Sequence, residues 1–271
     1  MESTILGVLI FAIGASVGSF VNVVADRMPA GKSLVRPRSS CSSCGRALSR
    51  IDLVPILSYL VLRGRCRRCG AAIPLRVFAV ELATALLFTA VYLKFGLGVE
   101  FVLTSAAVAL LLAVAIIDLE HGLILNRIVL PSSVALLLIA PFWTELGLPR
   151  AFFGYPTLVA SLLNSLVAGA GAFLLFLVVA LAYPRGMGGG DIKLAGLLGL
   201  LVGFPGVVVA LWGAVVTGGL VAIALLMLRR KQRKDAIPFG PFLSLGGVVV
   251  LLTGSEIVSA YQRLVESLAG V

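Results

Sequence analysis

Charged side chains are scarce in this chain, at 13% of 271 residues, where soluble domains carry about 25%. With 60% hydrophobic residues and a mean hydropathy of +1.11, that scarcity excludes an ordinary water-soluble globular domain. Histidine occurs once, at His121, so the paired-histidine zinc-protease signature cannot form. A Ser-x-x-Lys pair and a rhomboid-type serine pair are missing too, as are internal repeats and low-complexity runs. Cysteine is confined to four residues, all in one polar segment.

What the chain has instead is long apolar stretches. They run from Thr4 to Val24, Leu75 to Leu93, Phe101 to Ile117, Leu123 to Trp143, Leu158 to Ala182, Ile192 to Val202, Val207 to Leu228 and Phe242 to Leu252. Most reach the roughly 20 residues that cross about 30 Å of hydrocarbon as a helix, where every backbone group must be paired within the segment. The pattern predicts an all-α polytopic membrane protein of seven or eight transmembrane helices. The Ile192 stretch is short, and Phe204-Pro205-Gly206 is a candidate hairpin or re-entrant turn.

The net charge of +10 has to be placed before it can be read. Eleven basic residues lie between Arg27 and Arg76, five lie between Arg229 and Lys234, and Arg127, Arg185 and Lys193 add three. Only Lys94, Arg150 and Arg263 remain. With alternating spans the split is nineteen to three, as expected when basic loops stay in the cytoplasm. The basic runs therefore read as topology signals beside anionic lipid, with the bilayer as partner and no nucleic acid. The first apolar stretch opens on Glu2 and has its positive charge after it, which predicts a retained helix inserted with its N-terminus outside.

The domain plan that follows is a first helix over 1–25, a cytoplasmic insert over 26–74 and a helical bundle over 75–271. The insert is too small to rest on an apolar core, so a staple is expected. Cys41-Ser42-Ser43-Cys44 and Cys66-Arg67-Arg68-Cys69 stand 21 residues apart, the spacing of a structural zinc site in which each knuckle is a tight turn closed by Gly45 or Gly70. A disulfide framework is the rival, opposed by the reducing cytoplasm; a thioredoxin-like redox motif lacks its βαβ surroundings. Four thiolates leave no open coordination position, so zinc here would be structural.

Ionisable residues at a membrane span need a reason. Asp118 follows an unbroken apolar run, and Asp191 follows Gly188-Gly189-Gly190. Brought together, the two carboxyls would share a proton, the arrangement that activates water and polarises a carbonyl at once. Glycines before Asp191 would let an extended second backbone approach. Equally, Asp191 is placed to cap a helix and Asp118 to sit in interfacial water. Glu81, inside the second stretch, reads as a polar-network residue, and His121 as an interfacial one.

The motifs together resemble the prepilin peptidases of the G-x-G-D intramembrane aspartyl protease class. Gly18-Ser19-Phe20-Val21-Asn22 with Arg27-Met28-Pro29 is similar to the opening motif, and Asp52 through Cys66 and on to Glu81-Leu82 is similar to the cytoplasmic domain. Gly188 to Leu194 matches G-x-G-D-x-K-L, Asp118 with Pro131 matches the first aspartate motif, and Ile237-Pro238-Phe239-Gly240-Pro241 resembles a late signature. Ser42-Ser43, Asp26 and Pro74-Leu75-Arg76 depart from the common pattern without removing a ligand or an acid. The resemblance implies a protease of the bacterial inner membrane that cuts a short basic leader after glycine from pilin-like or pseudopilin precursors. It implies Asp118 and Asp191 as catalysts, with Gly188, Gly189, Gly190 and Lys193 against the substrate. Members with the four-cysteine insert resemble enzymes that also methylate the new N-terminal amine from S-adenosylmethionine, although no glycine-rich methyltransferase fingerprint occurs. A membrane scaffold docking through a zinc ribbon and a proton-relay transporter are the competing readings; the first makes both acids dispensable, the second calls for an inverted repeat.

Overall fold

The computed structural model describes residues 2–143, 145–146, 157–183, 187–228 and 237–269. The basic run ending at Lys234, with Arg150 and Arg185, lies outside the described residues. Among them the regular structure is helical, in keeping with the all-α expectation, and strand geometry is confined to isolated bridges pairing Ser40 with Ala47 and Arg65 with Ala72. The helices are α1 Glu2–Arg27, α2 Leu57–Val61, α3 Leu75–Phe95, α4 Val99–His121, α5 Asn126–Ile139, α6 Leu158–Ala182, α7 Gly189–Val202, α8 Gly206–Met227 and α9 Gly240–Ala269.

Every apolar stretch read in the sequence folds as a helix, but the lengths differ. Five (α1, α3, α4, α6 and α8) are long and apolar enough to cross a membrane. The other three fall short for identifiable reasons. α5 contains Pro131 and tightens into a 3₁₀ turn over Ala140–Phe142. α7 has 14 residues, about 21 Å of helix; Gly203 turns the chain at φ 64°, and Pro205 has no N–H with which to continue. The apolar part of α9 stops near Gly254. Large apolar side chains such as Leu93, Leu174, Leu181, Trp212 and Leu220 are exposed, a liability in water and the required surface in lipid.

The chain forms two compact units, Met1–Ala113 and Val114–Val271, with α4 running through the division. In the first, α1 packs along α3. Gly18 permits the close approach, since a Cβ there would lie 2.7 Å from the Glu81 Cα. The insert leaves α1 and returns at Pro74, which precedes α3, and an Asp26–Arg76 ion pair of 2.7 Å ties the two ends.

In the second unit α7 is the central element. Eight of its fourteen residues are buried, as expected of a helix that is apolar all round. It packs against α5, α6, α8 and α9. The turn after it is held by Asn164 of α6, which has no exposure: its Oδ1 accepts from the Phe204 N–H at 2.8 Å and its Nδ2 donates to the Phe204 carbonyl at 2.9 Å. The hairpin at Phe204-Pro205-Gly206 is thus present and clamped.

Candidate active site and cysteine centre

Asp118 lies in the last turn of α4, 5% exposed. α4 stops just beyond it, where Gly122 takes φ 62° and donates its N–H to the Asp118 carbonyl at 2.9 Å. The Asp118 carboxylate accepts the N–H of Gly240, the first residue of α9, at 2.8 Å. A Cβ on Gly240 would stand 2.7 Å from the same oxygen, so glycine is what allows the carboxylate to seat there. Sequence reasoning noticed Gly240 only within a family signature; its partner lies 122 residues away.

Asp191 occupies the third position of α7. Its Oδ2 accepts the N–H of Gly188 at 3.1 Å, and its own N–H donates to the Gly188 carbonyl at 3.1 Å. Asp191 does cap its helix, as the plainer reading held, and its neighbour Gly190 lies against Ile124, six residues beyond Asp118. Both carboxyls therefore sit at helix N-termini, Asp118 against α9 and Asp191 within α7, where oriented N–H groups favour negative charge.

The three glycines divide their roles. Gly189 faces open space, Gly188 abuts the Asp191 carboxylate, and Gly190 makes room for Ile124, whose Cβ would be 2.7 Å from an added Cβ. Lys193 donates to Asn126 Oδ1 at 2.9 Å, tying α7 to the start of α5. His121 is exposed at the end of α4.

The four cysteines meet in the insert. Their sulfurs all lie within 4.8 Å of one another, and Cys41 Sγ is 3.8 Å from Cys69 Sγ. A tetrahedron with metal–sulfur bonds of about 2.3 Å has edges of about 3.8 Å, so the cluster fits zinc. The knuckles repeat one geometry. Gly45, at φ 68°, donates to the Cys41 carbonyl and Gly70, at φ 69°, to the Cys66 carbonyl. Hydrogen bonds from the Cys69 and Arg68 backbone pull the Cys66 thiol down to about 6. Cys69 goes the other way: an Ala71 backbone bond lowers it, but the neighbouring thiols and burial outweigh that and push it up to about 11. Asp52 links the knuckles, accepting from Ser49 Oγ at 2.7 Å and Arg67 Nε at 2.8 Å, and Ser49 with Arg67 holds its carboxyl down at about 2. Glu81 is buried and accepts the Ile56 N–H at 2.7 Å, the polar-network role expected of it.

Residues 12–95 match the bacterial peptidase A24 N-terminal domain, and residues 105–223 match the type IV leader peptidase family. Over 259 residues the chain is 33% identical to the prepilin leader peptidase/N-methyltransferase of Bacillus subtilis (strain 168), covering 94% of this chain and 98% of that protein. The protein of that name from Pseudomonas putida is 32% identical over 286 residues, 97% of this chain and 96% of the relative. Its counterpart in Pseudomonas aeruginosa is 33% identical over 278 residues, 93% and 91% of the two chains. No solved structure matches. The two matched segments and these near full-length likenesses establish that the chain belongs to the type IV leader peptidase family.

Proposed function

We propose that this integral membrane protein is a prepilin leader peptidase and N-methyltransferase whose proteolytic centre is Asp118 with Asp191. The observation that carries the assignment is the convergence of two acids at helix N-termini, each anchored by one glycine N–H, with Gly190 beside Asp191 set against Ile124, six residues beyond Asp118. In the singly protonated pair, the carboxylate takes a proton from water as it attacks the scissile carbonyl, and the carboxylic acid donates a hydrogen bond to the carbonyl oxygen. Either acid can start in either state, so the pair titrates as one unit. Open space at Gly189 suits an extended substrate backbone, with Gly188 and Gly190 beside it. Lys193, through Asn126, positions α7 for that contact.

The substrates are precursors of pilin or pseudopilin type, cut after the glycine that ends a basic leader, and the system served is a type IV pilus or type II secretion machine. The nineteen-to-three basic split supports a location in the bacterial inner membrane with the acids near the cytoplasmic face. Segment 26–74 would then be a cytoplasmic domain whose four sulfurs hold one zinc ion, compensating for a core too small to fold alone. The flanking Arg65, Arg67 and Arg68 balance the charge of a tetrathiolate. The methyl donor of the second activity is S-adenosylmethionine.

The test is leader cleavage by reconstituted enzyme, followed by mass spectrometry. Asp118→Asn and Asp191→Asn should each slow cleavage by at least about 10³-fold, within the 10²–10⁴-fold range of one positioned acid or base. The double variant should fall no more than about tenfold below either single, because residues that act as a unit are not additive. Full cleavage by either Asn variant removes that residue from the mechanism.

A further inference from the structure

The first compact unit contains a cavity of about 470 Å³ that Asp118 and Asp191 do not line and whose walls include Cys41 and Cys66 on the side of the cysteine centre. That volume lies within the roughly 300–1,000 Å³ typical of small-molecule sites. Its walls come from α1, α3 and the insert, between Ser19 and Glu81. All of them fall inside the segment matching the A24 N-terminal domain, and none inside the segment matching the leader peptidase family.

Three features distinguish the cavity from a packing defect. Asn22 is 5% exposed; its Nδ2 donates to the Val77 carbonyl at 3.1 Å, but its Oδ1 is buried without a partner. A buried acceptor left unpaired costs free energy that a structure rarely tolerates without use. In the same lining, the buried Glu81 carboxylate takes the N–H of Ile56, which stands at φ 62°, ψ −56°. The Leu57 N–H reaches back to the Pro55 carbonyl at 2.6 Å, making Ile56 the centre of a γ-turn, a conformation that strains a β-branched residue and concentrates at ligand sites. Third, the lining cations are not equivalent. Arg67 and Arg76 are paired with Asp52 and Asp26, whereas no ion pair to Arg46 occurs among the described residues. The walls therefore offer buried acceptors for a cation, one uncommitted guanidinium for a carboxylate, and an aromatic side at Tyr59.

We propose that this cavity holds the methyl donor, a nucleoside sulfonium amino acid of the S-adenosylmethionine class, with Asn22 and Glu81 receiving its cationic groups and Arg46 its carboxylate. The assignment rests on the methylating half of the function given above. Such a donor supplies a methyl carbon to a neutral amine: the N–C bond forms, the C–S pair returns to sulfur to leave a thioether, and the nitrogen releases one proton to water.

The probe is S-adenosylhomocysteine, which keeps the nucleoside, ammonium and carboxylate, titrated by calorimetry into full-length zinc-loaded protein in detergent. One site per chain is expected. Asn22→Leu, Glu81→Gln and Arg46→Gln should each weaken binding at least about tenfold, the worth of one charge-assisted hydrogen bond. Asn22→Asp keeps an acceptor oxygen and should bind within about fivefold of wild type. Zinc content and thermal unfolding report folding independently; because the lost oxygen is unpaired in the free protein, Asn22→Leu should melt no lower than Asn22→Asp. Should the Leu variant fail to fold, Arg46→Gln, at a partly exposed position, carries the decision. Unchanged S-adenosylhomocysteine affinity in folded Asn22→Leu or Arg46→Gln protein overturns the cavity assignment while methylation by the wild type persists. A wild type that cleaves precursors but neither methylates them nor binds the probe overturns the methylating reading as well.

Discussion

Replacing Gly240 by alanine tests the catalytic assignment without touching an ionisable group. The added Cβ would stand 2.7 Å from Asp118 Oδ2 and 3.1 Å from its Cγ, where ordinary contact begins at 3.4 Å. The carboxylate must therefore retreat by roughly 0.7 Å, stretching the 2.8 Å bond from the Gly240 N–H; displacements near 1 Å cost about 10²-fold in rate. Gly240 is not in the left-handed region, so alanine meets no backbone strain of that kind and the protein should remain folded. Initial rates on a purified precursor in detergent, read by mass spectrometry, should show kcat down about 100-fold with KM within about threefold, the signature of an interaction made in the transition state. Combined with Asp118→Asn, the alanine should add less than about threefold, since it acts through Asp118 alone. A Gly240→Ala enzyme that cleaves at the wild-type rate, or a double variant whose losses multiply, would refute the reasoning.

Three further outcomes are expected. Purified, reduced protein should contain about one zinc per chain, and Cys41→Ser with Cys44→Ser should lose the metal and loosen the insert; metal analysis of folded protein that finds none excludes the site. Those substitutions should impair methylation or stability more than cleavage. Asn164→Leu leaves the Phe204 N–H and carbonyl without the Asn164 bonds, and at about 1–3 kcal/mol per buried group should destabilise the second unit by about 2–6 kcal/mol, measurable by denaturation in mixed micelles; wild-type stability would show that the clamp contributes nothing. A reporter fused after Lys234 should read cytoplasmic and one near Pro149 external, and the reverse pair of signals would invert the placement of both acids.

Legibility from sequence followed the range of the interactions. The knuckles are local: Cys41 and Cys44, like Cys66 and Cys69, share one turn whose closing glycine is adjacent, so spacing alone pointed to a four-sulfur cluster, and the structure brings the four sulfurs within 4.8 Å of one another. Asp118 and Asp191 stood out because charge is rare against an apolar background. What holds them did not. Gly240 meets Asp118 across 122 positions, and Asn164 meets Phe204 across 40; an isolated glycine or asparagine carries no local mark of such a contact. Gly190 looked like room for a substrate, yet its missing side chain is filled by Ile124, because periodicity does not reveal which neighbour uses a gap. The shortness of α7 was visible in the pattern, whereas its burial on all sides required the packing of α5, α6, α8 and α9 around it.

That shortness bears on how the enzyme responds to its bilayer. A helix of about 21 Å that starts at one interface ends about 9 Å short of the other in a hydrocarbon layer of about 30 Å. Asn164 lies six residues into α6, about 9 Å from its first residue, so the turn it clamps is held at the depth where α7 runs out. Lipids with longer acyl chains would sink that turn further from water and load the α7 end that carries Asp191, while shorter chains would relieve it; mismatch costs fractions of a kcal/mol per Å. Cleavage rate should then vary with acyl-chain length in reconstituted vesicles, which makes membrane thickness a physical variable of the reaction.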